Sequence, residues 1–133
     1  WQFWLTSHLA PTMAASALAV AVVAAALGHQ VPMGRLAPAM VGVMFIVLGN
    51  VLPRARPNWW FGVRTPWTMS NDRVWTRTHR VAGYTFIGAG LALLAAAFVP
   101  GVAIEGAMLV GGLVAGLVPI VYSYVAWRQE TSA

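Results

Sequence analysis

The sequence predicts an all-α fold: a polytopic membrane protein in which a bundle of four transmembrane helices carries a structured cytoplasmic loop between helices 2 and 3. Three observations carry that prediction. Hydrophobic residues fill 59% of the 133 positions and charged residues 8%, against roughly 25% charged in a soluble chain that must cover itself with groups water accepts. The apolar residues gather into four runs, at 10–28, 36–52, 81–99 and 104–127. Six of the eight Lys+Arg residues, all of them arginine, and four of the seven tryptophans fall together within 50–83. One membrane domain over residues 1–133 is the expected organisation.

Each run meets or nearly meets the ~20 residues that a helix needs to cross ~30 Å of hydrocarbon, and helix is the conformation that satisfies its own backbone there. The first run follows an aromatic flank (Trp1, Phe3, Trp4) with no basic residue, so it reads as a span rather than a signal peptide. The chain opens on Trp1 and not on Met, so an upstream segment is expected. The second run is the shortest and needs its flanks or a locally thinned bilayer. Gly49-Asn50 reads as its termination. In the fourth, Gly112 and Gly116 form a GxxxG and Pro119 is expected to bend the helix. Ala17, Ala21 and Ala25 make a stripe at four-residue spacing in the first. Such stripes let backbones approach, so Gly112 and Gly116 are candidate helix-packing residues, within the bundle or in a seam with another copy or protein.

Arginine counting gives the orientation. The loop at 53–80 holds six arginines, the first connection only Arg35 and the third none, while Arg128 follows the last helix. The loop and both termini are therefore expected on the cytoplasmic side of the membrane. Arginines placed between apolar runs point to lipid head groups and topology, so the net charge of +5 is not read as a nucleic-acid signal.

Within the loop, Pro53 and Pro57 stop the second helix, and Trp59, Trp60 and Phe61 suit the head-group layer. Gly62 allows a turn, and Arg64-Thr65-Pro66-Trp67-Thr68 reads as extended. Ser70 or Asn71 can cap a new helix whose first turn contains Asp72. Arg73, Arg77, Arg80 and Tyr84 then share one face, and Trp75, His79 and Ala82 another. Nothing between Asp72 and Val81 breaks a helix, so this stretch is expected to run straight into the third span. His79 reads as a hydrogen-bonded structural histidine that holds the loop on that helix, with a pH sensor or ligand contact as the alternative.

Gly49-Asn50, Pro53, Pro57-Asn58, Gly62-Val63-Arg64-Thr65-Pro66-Trp67-Thr68, Val74-Trp75, Thr78-His79-Arg80 and Gly83 together resemble the SdpI-like family of bacterial integral membrane proteins. The resemblance covers about a quarter of the chain closely and the third helix loosely, with Arg54 and Met69 as mild departures; longer members carry further membrane segments upstream. It implies toxin immunity and signalling through protein and lipid contacts, including a cytoplasmic acidic partner such as a repressor held at the membrane. The candidate partner- or lipid-binding residues are Asn58, Arg64, Thr65, Pro66, Trp67, Asp72, Trp75, His79 and Arg80. Arg64 and Arg80 are expected to bond loop carbonyls and Asp72, and Trp67 and Trp75 to pack the loop on the membrane surface.

The absence of cysteine excludes disulfides and thiol chemistry. There is no nucleophile–base arrangement, metal cluster or phosphate loop; His8 and His79 lack the spacing of a metal or haem site. Neither an enzyme nor a bound cofactor is expected. Partners are expected among membrane lipids and another membrane or cytoplasmic protein, with a homo-oligomer open. Two further readings stand beside the first: a structural accessory subunit of a larger respiratory or photosynthetic complex, and, more weakly, a small transporter.

Overall fold

A backbone withdrawn from water must satisfy its own hydrogen bonds, and a helix does this within one segment. A computed structural model of the protein describes the backbone of residues 2–30 and 32–132, and their side chains apart from 2–7, 10, 11, 14 and 18. The described residues form helices and no strand: α1 Gln2–Ala26, α2 Met33–Val51, α3 Pro66–Ser70, α4 Asp72–Phe98 and α5 Ile104–Thr131. A single 3-10 turn, Leu52–Arg54, extends α2. Three segments, Met33–Arg54, Asp72–Phe98 and Ile104–Thr131, are long and apolar enough to cross a membrane; the apolar stretch of α1, Ala15–Ala26, is shorter. The loop helix and the candidate span that follows it are one element, α4, as the unbroken sequence from Asp72 onward predicts.

Helix α4 lies at the centre, packed against α2 on one side and α5 on the other, while α2 and α5 hardly touch. Its contact with α2 is a reciprocal glycine pairing. A Cβ added at Gly42 would lie 2.7 Å from the Gly90 carbonyl oxygen, and one at Gly49 would lie 2.7 Å from that of Gly83. Two glycines seven residues apart on each helix thus meet their counterparts in antiparallel order, letting the two backbones touch. Gly49-Asn50 is therefore not a termination: Gly49 is buried inside α2, which runs on to Val51. Asn50 turns its Nδ2 back to donate to the Ile46 carbonyl at 2.8 Å. Phe45 and Phe86 close this seam with ring centroids 5.1 Å apart.

On the other side of α4, Gly111 meets Ala89 and Leu93. The buried residues of α5 are Gly111, Ala115, Pro119, Ser123 and Ala126, a run at four- and three-residue intervals that defines one face. Gly112 and Gly116 are one position along from that face, and a Cβ at either would meet nothing within 4 Å. The small-residue stripe that packs within this chain is Gly111 and Ala115, and the GxxxG looks outward.

Candidate functional site

The loop folds into a cap over one end of the α2–α4–α5 sheaf, and its order begins with short-range hydrogen bonds. Asn58 Oδ1 accepts from the backbone N–H of Trp60 at 2.9 Å and of Phe61 at 2.7 Å, while its Nδ2 donates to the Arg56 carbonyl at 2.7 Å. An asparagine that mimics a backbone turn in this way reverses the chain after Pro57. Gly62 follows at φ +113°, where a side chain is strained, and a Cβ there would overlap His79 Nε2. Glycine is required twice over, by conformation and by space.

That close approach delivers the Val63 N–H to His79 Nε2 at 2.9 Å, and His79 Nδ1 lies 2.9 Å from the Trp75 carbonyl. Because Nε2 accepts, the ring proton sits on Nδ1 and donates to Trp75, which defines a neutral tautomer. Both ring nitrogens are engaged, so neither is free for a metal or haem. The Trp75 ring stacks on His79 with centroids 4.0 Å apart and planes inclined by 21°. Its Nε1–H donates to the Ala55 carbonyl at 2.8 Å. Trp75 and His79 are both fully buried. One stacked pair on α4 thereby holds the chain at Ala55, as it leaves α2, and at Val63, as it returns.

The second half of the cap docks on α5. Thr65 and Thr68 form a reciprocal capping box for α3, with Pro66 in its first turn. This is the arrangement that satisfies the donors left orphaned at a helix start. The Thr65 hydroxyl lies 3.1 Å from that of Ser123, and Thr68 Oγ1 donates to the Val63 carbonyl at 2.8 Å. The Trp67 ring meets Tyr124 edge-on with centroids 5.2 Å apart, and Trp127 at 6.4 Å. Asn71, one of the two residues expected to do so, caps α4 by accepting from the N–H groups of Arg73 and Val74. Arg73 and Arg77 reach Glu130 of α5 at 3.6 Å and 3.2 Å.

Several candidate residues therefore come together: His79 holds the loop on α4, as its reading as a structural histidine expects, while others sit elsewhere than expected. Thr65, Trp75 and His79 are interior residues of the cap. Trp75 is buried and does not lie on a membrane surface; among the described residues the exposed tryptophans are Trp59 and Trp60. Trp67 is half-buried against α5, and Asn58 is half-buried in its turn. Arg64 donates to the Trp59 carbonyl, the kind of loop contact foreseen for it. The ion pairs of the basic stripe run to Glu130 rather than to Asp72, which is exposed in the first turn of α4. Pro66 and Arg80 are exposed as well. Among the described residues, Arg54, Arg56, Arg64 and Arg80 form no ion pair, leaving a surface of uncompensated positive charge. No group of three or more His, Cys, Asp or Glu residues lies close enough to hold a metal among the described residues.

Sequence reasoning missed the floor of the cap: Ser123, Tyr124, Trp127 and Glu130. The signal was available, since these four polar and aromatic residues share the last turns of an otherwise apolar helix at helical spacing.

The model of the SdpI/YfhL protein family matches residues 54–123, from the turn that leads into the cap, through α4, to the serine that meets Thr65. The chain belongs to the SdpI/YfhL protein family. It is 29% identical over 103 residues to the immunity protein SdpI of Bacillus subtilis (strain 168), an alignment that covers 77% of this chain and 50% of that protein. The chain thus spans about half the length of this curated relative. No solved structure matches it. The family's matched region contains both partners of the two hydrogen bonds that tie the loop to α4, Ala55–Trp75 and Val63–His79.

Proposed function

We propose that this protein acts as an SdpI-type immunity and signalling element of the bacterial inner membrane, working through protein and lipid contacts rather than catalysis. In this reading four helices span the bilayer, and the cap and both termini face the cytoplasm. The carrying observation is the division of labour inside the cap. Its threonines, His79 and Trp75 are spent on fixing the loop to α4 and α5. Arg54, Arg56, Arg64 and Arg80 are left exposed and, among the described residues, without an ion pair. A rigid basic surface of that kind suits an acidic protein partner on the cytoplasmic side, because charge complementarity steers and orients an encounter. The immunity protein SdpI of Bacillus subtilis gives the biological direction.

The test is genetic and then physical. Deletion of the gene should sensitise cells to a secreted peptide toxin, and the wild-type chain should restore resistance. A quadruple Arg→Gln variant at Arg54, Arg56, Arg64 and Arg80 should fold and insert normally yet fail to restore it. Full protection by that variant would refute the docking role of the cap.

A second reading, the accessory subunit of a larger respiratory or photosynthetic complex, is favoured by one observation: Gly112 and Gly116 present an open small-residue seam on the outer side of α5. Extraction in mild detergent separates the two. Co-migration with a large complex in a fixed ratio supports the subunit; migration of the chain by itself supports the immunity element.

A further inference from the structure

Where α2 and α5 diverge on the flank of α4, they leave an open cleft of about 310 Å³ just beneath the cap. Leu48 and Leu52 form one wall, Gly116 the other, Phe86 the back, and Phe61 and Val63 of the loop the roof. Among the described residues, no charged or polar side chain lines it. Its size lies at the small end of ligand sites, which run roughly 300–1,000 Å³, so it suits a segment of one apolar chain rather than a whole bulky ligand.

Two independent features say what fills it. The first is access. The α5 wall continues into Leu113, Leu117 and Val121, all exposed apolar residues of a helix long and apolar enough to span. The cleft therefore opens sideways into hydrocarbon, where a molecule already dissolved in the bilayer can enter. The second is charge. The chain leaves the roofline at Leu52 and Val63 and carries Arg54 and Arg64 within two residues, both exposed and, among the described residues, without an ion-pair partner. An apolar slot whose roof is flanked in sequence by guanidinium groups with no carboxylate to neutralise them, Arg64 still holding the Trp59 carbonyl, matches an acyl chain joined to a phosphate, since anionic head groups attract basic residues at the membrane surface.

We infer that this cleft is a binding site for an anionic phospholipid, with one acyl chain between α2 and α5 under Phe61–Val63 and the phosphate at Arg54 and Arg64. The inference goes beyond the immunity reading and does not depend on it; it needs only that the chain resides in a membrane. The site also puts the lipid against the loop segment that His79 anchors, so its occupancy would brace the cap.

Native mass spectrometry of the purified protein in detergent tests this, with phosphatidylglycerol and phosphatidylcholine of identical chains as probes. One phosphatidylglycerol per protein should be retained in preference to phosphatidylcholine. Arg54→Gln and Arg64→Gln should each weaken that preference roughly fivefold without changing phosphatidylcholine retention. Gly116→Leu fills the cleft from its open side and should abolish retention, whereas Gly112→Leu, one turn away and outside the cleft, should leave it unchanged. Equal retention of the two lipids, or parental retention by Gly116→Leu, overturns the site. So does a parental dimer that both leucine variants convert to monomer, because the seam would then belong to a second copy. The two arginine variants stand on exposed residues and keep the test decisive if Gly116→Leu does not fold.

Discussion

Replacing Gly62 with alanine puts a methyl group where His79 Nε2 lies, at a backbone φ of +113°. Left-handed backbone costs a residue with a Cβ about 1–2 kcal/mol. The ring must also move, which breaks the bond from the Val63 N–H and leaves buried polar groups unpaired at about 1–3 kcal/mol. Together these destabilise the closed cap by about 2–5 kcal/mol. Limited trypsin digestion reads this directly. Arg64 is exposed but Thr65, across the scissile bond, is buried and tied to Thr68 and Ser123, so cleavage requires the loop to open. Where closing outpaces cleavage, the rate follows the open population. The Gly62→Ala variant should therefore be cut after Arg64 at least about thirtyfold faster. In a His79→Ala background the clash is gone, and the same substitution should add only the backbone term. An unchanged cleavage rate in the single variant, or simple additivity in the double, would refute the account of His79 as the fastener of the loop.

Other consequences are more local. Gly49→Leu should force α2 from α4, because its Cβ already meets the Gly83 carbonyl and Ile87, lowering the thermal midpoint sharply; Gly88→Ala, with nothing within 4 Å, should be neutral or stabilise by about 1 kcal/mol. Trp75→Phe keeps a ring beside His79 but orphans the Ala55 carbonyl at about 1–3 kcal/mol, so trypsin cleavage after Arg54 should rise more than cleavage after Arg64. Glu130→Gln removes both ion pairs to Arg73 and Arg77, but those arginines are largely solvated, so the thermal midpoint should move by no more than about 1 kcal/mol allows. That small difference should vanish near 1 M salt.

How legible the molecule was differs from residue to residue. The long helix α4, a candidate span with a two-turn extension at its start, followed from an unbroken run after Asn71, because capping and propagation are local. That Trp75 and His79 share a face apart from the arginines was legible from spacing; that this face is buried was not. What was not legible was which tryptophan is buried. Trp59, Trp60, Trp67 and Trp75 carry the same chemistry, and only the position of the Ala55 carbonyl gives Trp75 an interior partner for its N–H. The acidic partner of the basic stripe was missed for a similar reason. Asp72 is near in sequence, yet Glu130 is near in space once α5 returns beside α4.

The glycines separate the two kinds of information most clearly. Composition and run length were enough to determine an all-helical chain suited to a membrane, with a loop that concentrates its charge, because those properties follow from the solvent each segment prefers. The sequence by itself marked Gly112 and Gly116, since a GxxxG is conspicuous within one helix. The tertiary structure instead gave the close approach to Gly42 with Gly90 and Gly49 with Gly83, and left Gly112 and Gly116 open. A contact between two backbones depends on how each helix is rotated about its axis relative to its neighbour, and no single segment encodes that rotation. The same rotation carried His79 under Gly62 and opened the apolar cleft between α2 and α5.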